Sequence, residues 1–264
     1  MSLAERVARA TEIVTPWSDK PGFVGAYLTG SAVRSFAHAD GDLDIGVVLE
    51  PGAYAALAPS RRYKVGIDRG PPRRKEYDLQ VRSMADLEAF ATCDVDHYRS
   101  AFRYIQILRD SAGRIADIAR SIATLPEDIR EERLRVHCVE FTWAQQRARK
   151  CTKRGDSTNE RSLIAHSLTA LGQCLFLAQG VWPDKLQWQT QALLENGVPA
   201  PLVECLELAW QHLDAAHSDA LEQAFFAWLS AKGYSFHLNV LDLQTWLAVD
   251  PAGLAAHRRW VRVH

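Results

Sequence analysis

The spacing of apolar residues divides the chain into two parts with different periodicities. In the first part, four short runs rich in β-forming residues predict strands, namely FVGAYL, DLDIGVVLE, RYKVGI and EYDLQV. The stretch SAVRSFA, between the first two runs, predicts one or two helical turns, and DRGPPRRK predicts a turn. The amphipathic N-terminal stretch MSLAERVARATEIV predicts a helix.

After Leu108 the apolar residues recur with a helical period. Capping boxes, Thr124-x-x-Glu127 and Ser157-x-x-Glu160, predict where the two longest helices begin. Further amphipathic stretches predict helices at Leu186–Glu195, Pro201–Leu213 and Ser218–Lys232. The glycines predicted to end helices are Gly180, Gly197 and Gly233. The pattern as a whole predicts an α+β protein, with a small mixed-sheet domain over residues 1–120 followed by an all-α helical bundle over residues 121–264.

Composition narrows the classes of partner. The chain has 264 residues and a formal net charge of −1, so it lacks the broad field that draws proteins to nucleic acid or anionic lipid. No apolar run is long enough to span a bilayer, and the N-terminus lacks the apolar core of a signal peptide. The sequence therefore predicts a soluble cytoplasmic protein that binds neither membrane nor DNA.

Cysteine usage agrees with that expectation. The chain has five cysteines, an odd number, and they form no C-x-x-C pair. We expect them to be buried and to remain free thiols under reducing conditions. They are Cys93, Cys138, Cys151, Cys174 and Cys205.

Candidate chemistry begins at Gly30-Ser31, which the pattern places at a strand-to-helix turn. Glycine permits a tight turn and the close approach of a ligand. Free backbone N–H groups at a helix start, together with the Ser31 hydroxyl, would form a phosphate site. A Gly-Ser pair taken alone is equally typical of an ordinary turn.

Asp42 and Asp44 lie two residues apart at the start of a predicted core strand, so their side chains share a face. Carboxylates so close repel each other unless a cation lies between them, and aspartate is depleted in strands. Mg²⁺ is held by a few carboxylates together with the phosphate oxygens of a substrate. Two structural alternatives remain: Asp42 as a turn residue, and Asp44 paired with Arg34.

A third acid, Asp78, lies on a later predicted strand. Alternation along EYDLQV places Asp78 on the same face as Glu76 and Gln80. Three carboxylates on neighbouring strands would complete a two-metal site for in-line displacement at phosphorus.

These residues resemble the polymerase-β-like nucleotidyltransferases. GSAVRSFAHADGDLD is similar to their G-S-x10-D-x-D signature, and Asp78 resembles their third acid. The order of a nucleotidyltransferase domain and a helical bundle is similar to the aminoglycoside and lincosamide nucleotidyltransferases and to minimal nucleotidyltransferases. The resemblance implies that Gly30 and Ser31 hold the triphosphate, with Arg34 as a further phosphate ligand. It also implies that Asp42, Asp44 and Asp78 bind two Mg²⁺ ions.

The helical half offers three further candidates. Lys153 lies in the basic cluster RARKCTKRGD, which could bind phosphate or form a solvated helix end. Lys185, in GVWPDKLQW, resembles a lysine that reaches the triphosphate in several of these enzymes, or belongs to a turn flanked by packed indoles. Glu140, mid-helix, is a candidate general base for the acceptor hydroxyl, or an exposed structural glutamate.

The predicted activity is therefore Mg²⁺-dependent transfer of a nucleoside monophosphate, AMP from ATP, to a hydroxyl acceptor with release of pyrophosphate. A small molecule is the expected acceptor. Two alternatives stay open: a minimal-nucleotidyltransferase-type modifier of a protein or RNA, and a catalytically inactive nucleotide-binding sensor.

Overall fold

The computed structural model describes residues 1–38, 41–68, 74–92, 95–234 and 240–260. The chain forms two compact units, Met1–Thr124 and Leu125–His264. The predicted boundary, between residues 120 and 121, falls close to the end of the first unit. Across the residues described, none of the helices combines the length and the apolar character needed to cross a membrane.

The first unit contains helices packed on one mixed β-sheet, as the sequence predicts. In chain order its elements are α1 (Leu3–Ser18), β1 (Phe23–Thr29), β2 (Leu43–Leu49), α2 (Pro51–Ala56), β3 (Tyr63–Asp68), β4 (Arg74–Ser83), α3 (Met84–Ala89), α4 (Asp96–Phe102), β5 (Gln106–Asp110) and α5 (Arg114–Ala123). The strand order is β3-β4-β2-β1-β5. β2 and β4 pair in parallel, and the remaining pairs are antiparallel. The four predicted strands are confirmed, whereas β5 had no clear sequence signal.

Alternation along the strands gives the sheet two apolar faces. On one face, side chains of α1 such as Val14 pack against Ile45 and Leu79. On the other, Tyr27 and Val48 pack with residues of α3, α4 and α5. Burial on both faces holds the ends of β2 and β4 in a fixed register, which determines where polar side chains at those ends lie.

The second unit is helical throughout its described part. Its helices are α6 (Glu127–Lys153), α7 (Ser157–Ala178), α8 (Gln189–Glu195), α9 (Ala200–His212), α10 (Ala215–Ala231), α11 (Val240–Val249) and α12 (Pro251–Trp260). The α+β class and the order of a mixed sheet followed by a helical region are confirmed.

The helical core contains both apolar and polar contacts. Phe141 of α6 packs edge-on against Phe225 of α10, with ring centroids 5.6 Å apart. The buried Gln145 amide donates hydrogen bonds to the hydroxyls of Ser167 and Ser218. These bonds satisfy polar groups that would be costly to bury alone, and they link α6 to α7 and α10.

The starts of the two longest helices differ from the sequence prediction, whereas the glycines predicted to end helices agree with it. α6 begins after Pro126, not at a capping box on Thr124, and Asp156 rather than Ser157 caps α7 by accepting from the Asn159 N–H. The aspartate in the preceding position caps the helix one residue earlier, so it displaces the predicted serine. The glycine stops are confirmed by positive φ angles at Gly180, Gly197 and Gly233.

The cysteines follow the prediction in part. Four of them are free thiols in the described residues, but only Cys138 and Cys174 are buried, while Cys151 and Cys205 are partly exposed. Cys93 lies outside the described residues. Burial raises the pKa of the Cys138 thiol to about 12, which keeps it protonated and unreactive.

His137 of α6 makes the second unit sensitive to acid. Burial, reinforced by the Arg133 charge, lowers the pKa of His137 from 6.5 to about 3. Below pH 6.5 the unfolded chain gains a proton that the folded chain does not, so the free energy of unfolding falls as pH decreases. We expect His137→Leu to remove up to about 1.4 kcal/mol per pH unit of this dependence between pH 6 and 4.

Urea unfolding at several pH values measures this slope. His212→Leu is the control, because it removes an exposed histidine of the same unit. An unchanged slope in His137→Leu would show that His137 is not the source of the acid sensitivity.

Candidate active site

The parallel pairing of β2 with β4 brings three carboxylates together. Asp44 lies directly opposite Asp78 in the register of the two strands. Asp42 lies just before β2, and its carboxylate approaches the other two, so that ligand oxygens of all three lie within 4.8 Å of one another. Repulsion at this distance favours binding of a cation.

Gly30 fits closely against this cluster. Its φ of +74° lies in the left-handed region, which glycine adopts without strain. A Cβ at Gly30 would lie 2.0 Å from Asp44 Oδ2 and 2.9 Å from its Cγ. The turn after β1 therefore passes directly beside the Asp44 carboxylate and leaves room only for hydrogen at this position.

The turn itself is shorter than an α-helix. Gly30–Val33 forms a single 3-10 turn, so the predicted phosphate-binding N–H groups belong to a turn. The Ser31 hydroxyl lies beside Gly41, at 3.7 Å from the position a Cβ there would take. Ser31, which follows Gly30, and Gly41, which precedes Asp42, are thus neighbours.

Arg6 of α1 fixes the segment that follows the turn. Its guanidinium, 5% exposed, donates to the carbonyl oxygens of Ala32 at 3.2 Å and His38 at 2.8 Å. Two bonds from one rigid, planar group hold both positions at once. Arg6 therefore stabilises the backbone at Ala32 and at His38, after the Gly30 turn.

A β-bulge in β4 corrects the face assigned to Glu76. Gly66 of β3 pairs with Tyr77, but the next residue, Ile67, pairs with Lys75, so Glu76 is an extra residue in β4. A bulge of this kind reverses the alternation of side chains beyond it. Glu76 consequently points to α1, where it accepts a hydrogen bond from Arg9 Nε at 2.6 Å. The predicted shared face of Glu76 and Asp78 is wrong.

Lys75 takes the place beside the acids instead. Its Nζ lies 2.5 Å from Asp42 Oδ2 and 2.9 Å from Asp78 Oδ2. Hydrogen bonds to Asp42 and then Asp78 raise the pKa of Lys75 above its usual range, so the ammonium is charged at neutral pH.

The remaining oxygen of Asp78 is exceptional. Asp78 Oδ1 is buried and has no hydrogen-bond partner among the described residues. Buried carboxylate oxygens are normally satisfied, so this atom is available as a ligand.

Nearby, the Tyr63 hydroxyl contacts the Asp78 carboxylate, and this hydrogen bond raises the pKa of Tyr63.

The three acids therefore fit a divalent metal. The ligand set is all oxygen, which suits a hard cation such as Mg²⁺. The free Asp78 Oδ1 and the ammonium of Lys75 between two carboxylates both show that the cluster accommodates positive charge. Asp42, Asp44 and Asp78 are the residues that could hold the ion.

A second group of possible ligands lies in the helical unit. His212, Asp214 and His217 also offer ligand atoms within 4.8 Å of one another. However, Asp214 caps α10 by accepting from the His217 backbone N–H at 2.9 Å, and it also bonds the His217 ring at 2.9 Å. The Asp214 carboxylate thus already stabilises a helix start.

Arg34 is buried and stacks on two aromatic rings. The residue is only 6% exposed. Its guanidinium carbon lies 3.8 Å from the ring centroid of Tyr104 and 4.8 Å from that of Phe36. Stacking of this kind stabilises a cation away from water. The role of Arg34 as a phosphate ligand stays a prediction.

Glu140 lies in the second unit, with both carboxylate oxygens engaged. Oε2 bonds His166 Nε2 and Oε1 bonds His257 Nε2, each at 3.1 Å. Burial raises the pKa of Glu140, but the two hydrogen bonds outweigh it and leave that pKa below its usual value. The bond to Glu140 in turn raises the pKa of His166. The alternative of a simply exposed glutamate is wrong, while the role as a general base stays a prediction.

Lys153 and Lys185 also belong to the second unit. Lys153 is the exposed last residue of α6, where its charge complements the helix dipole. Lys185 is exposed, with its Nζ 4.7 Å from the ring centroid of Trp188. Phosphate binding by either lysine stays a prediction.

Sequence reasoning missed Lys75, Arg6 and Tyr63. Lys75 has only a weak signal, three positions before Asp78, and it ends the stretch DRGPPRRK, which predicts a turn. Strand alternation would direct it away from the acids, so only the bulge reveals its position. Arg6 and Tyr63 reach the site from distant parts of the chain, and no local pattern marks them.

Comparison with known proteins adds little chemical detail. A family described as a domain of unknown function, DUF4037, matches residues 100–189, less than half of the chain. No curated protein matches the sequence. Among solved structures, a nucleotidyltransferase-like protein from Exiguobacterium sibiricum 255-15 is similar, with 14% identity and a TM-score of 0.45 over 94% of this chain and 77% of that chain. The matched family has no described function and therefore assigns none to this chain.

The contact between Gly30 and Asp44 can be tested by adding one methyl group. Gly30→Ala forces Asp44 to move, and we expect Mn²⁺ affinity to fall by about 10- to 100-fold, as when a metal ligand loses its orientation. A left-handed alanine also costs about 1–2 kcal/mol of stability. EPR of free Mn²⁺ measures the metal affinity, and urea unfolding measures the stability.

Gly113→Ala is the matched control. Gly113 has a similar φ of +71°, but no described atom lies within 4 Å of an added Cβ. It should lose the same stability and keep its metal affinity. Equal metal binding by the two variants would mean that the Gly30 contact does not position Asp44.

Proposed function

We propose that the protein is a metal-dependent nucleotidyltransferase that moves a nucleoside monophosphate, AMP from ATP, onto a hydroxyl group and releases pyrophosphate. The observation that carries the proposal is the cluster of Asp42, Asp44 and Asp78 beside the Gly30-Ser31 turn. Carboxylates alone support many metal sites. Carboxylates next to a glycine turn suit a metal bound to phosphate.

The chain's own residues have distinct roles in this reaction. Asp42, Asp44 and Asp78 would hold Mg²⁺, which when bound neutralises the phosphate charge and makes a coordinated hydroxyl more acidic. The Gly30 turn lets the triphosphate approach the backbone closely, and Ser31 offers a hydroxyl to a phosphate oxygen. Arg6 keeps the backbone of this segment in place.

The bond changes follow from in-line displacement. The acceptor oxygen forms a bond to the α-phosphorus, and the bond from that phosphorus to the bridging oxygen of the β-phosphate breaks. Pyrophosphate leaves with the bonding electron pair. The hydroxyl proton passes to a base, for which Glu140 is the predicted residue.

Substitution of the acids tests the proposal. Asp44→Asn retains the shape of the side chain but removes its charge, so transfer of label from α-labelled ATP should fall more than about 100-fold. Asp117→Asn is the control, since Asp117 is an exposed carboxylate of the same unit. Asp44→Asn should fold normally by circular dichroism.

The assay uses a small-molecule extract as acceptor, with thin-layer chromatography to detect labelled products. The near-neutral net charge supports a small-molecule acceptor over RNA. Label that appears on protein or RNA instead would assign the alternative acceptor class. Tight ATP binding without any transfer would contradict the enzyme and support a nucleotide sensor.

Glu140 needs its own test, because its oxygens bond two histidines. If Glu140 is the general base, Glu140→Gln should lower kcat by about 10²- to 10⁴-fold and abolish the acidic limb of the pH–rate profile. A purely structural Glu140 predicts lower thermal stability with the pH profile unchanged. His166→Leu is the comparison, since it removes one of the two hydrogen bonds but leaves the carboxylate.

A further inference from the structure

The position of Lys75 depends on one extra residue in β4. In a regular strand Lys75 would point to the face opposite Asp78, because the two lie three positions apart and side chains alternate. The bulge at Glu76 reverses that alternation and directs the ammonium to Asp42 and Asp78. Bulges are frequent beside active sites, where they redirect a side chain.

The ammonium lies beside carboxylate oxygens that could bind a metal ion. Asp42 and Asp78, the two carboxylates that Lys75 contacts, are two of the three that could hold the ion. A divalent cation bound to these carboxylates would lie close to the ammonium. The two positive charges repel each other, so each weakens the binding of the other.

The Lys75 ammonium can leave the two carboxylates without disturbing the fold. The Lys75 side chain is 46% exposed, so water can solvate the ammonium as soon as it leaves. The four-carbon stem of lysine also lets the ammonium move away from the acids. By contrast Asp78, at 14% exposure, stays in the site.

We propose that Lys75 is an internal counter-ion that competes with the divalent metal for Asp42 and Asp78 and so weakens metal binding by the nucleotide-free protein. The inference rests on the proposed function in taking the cluster as the metal site. A metal that arrives with a triphosphate has further oxygen ligands, and the displaced ammonium meets new negative charge. Lys75 thereby couples metal binding to the presence of nucleotide.

Metal binding without nucleotide tests the inference. The probe is Mn²⁺, measured by loss of the free-ion EPR signal on the full chain. Lys75→Met keeps the length of the side chain but removes its charge, so Mn²⁺ should bind at least about tenfold more tightly. Lys75→Arg retains a cation and should stay close to the wild type.

Lys64→Met is the matched control. Lys64 lies on the adjacent strand β3 and pairs with Leu79, so it projects from the opposite face of the sheet. The substitution removes the same charge, and Mn²⁺ affinity should not change. A similar gain in Lys64→Met would show a general charge effect and overturn the specific role of Lys75.

Thermal unfolding gives a second readout. Without its counter-ion the acid cluster repels itself, so Lys75→Met should unfold at a lower temperature, and added Mg²⁺ should raise that temperature more than in the wild type. A lysine that only stabilises the fold predicts the same Mn²⁺ affinity in Lys75→Met and wild type, which would overturn the inference.

The outcomes separate the two proposals. Equal Mn²⁺ affinity together with label transfer sensitive to Asp44→Asn would reject the role of Lys75 and retain the nucleotidyltransferase. Absence of Mn²⁺ binding and of transfer in every variant, with and without ATP, would reject both.

Discussion

Repulsion among three carboxylates is the constraint on which the candidate site depends. Asp44 and Asp78 are paired across β2 and β4, and Asp42 adds a third charge within 4.8 Å. The register is held by apolar side chains on both faces of the sheet, so the acids cannot separate without disturbing the core. Concentrating negative charge in this way lowers the stability of the folded state, and a bound cation would offset that loss.

Backbone and side chains around the acids make this concentration possible. Gly30 lets the turn after β1 pass beside Asp44, and Arg6 holds the following segment from within α1. Lys75 supplies a positive charge through a bulge in β4. These contacts come from different parts of the chain, and together they hold the three carboxylates where they could bind a cation.

The helical unit has its own polar centre. Glu140 bonds His166 and His257, which lie on different helices, and nearby His137 is buried and neutral. The Glu140 bonds link α6 to α7 and α12. Charged groups so placed can contribute to chemistry or to the packing of helices, and the two roles differ in how they respond to pH.

The sequence by itself determined the α+β class, the four central strands, the glycine helix stops and the local motif of Gly30, Ser31, Asp42 and Asp44. These features follow from short-range periodicity, backbone preference and the chemistry of neighbouring residues. Tertiary structure alone decided the remainder. The bulge that turns Lys75 toward the acids, the buried stacking of Arg34 and the bonds of Glu140 all depend on partners distant in sequence, which no local pattern encodes.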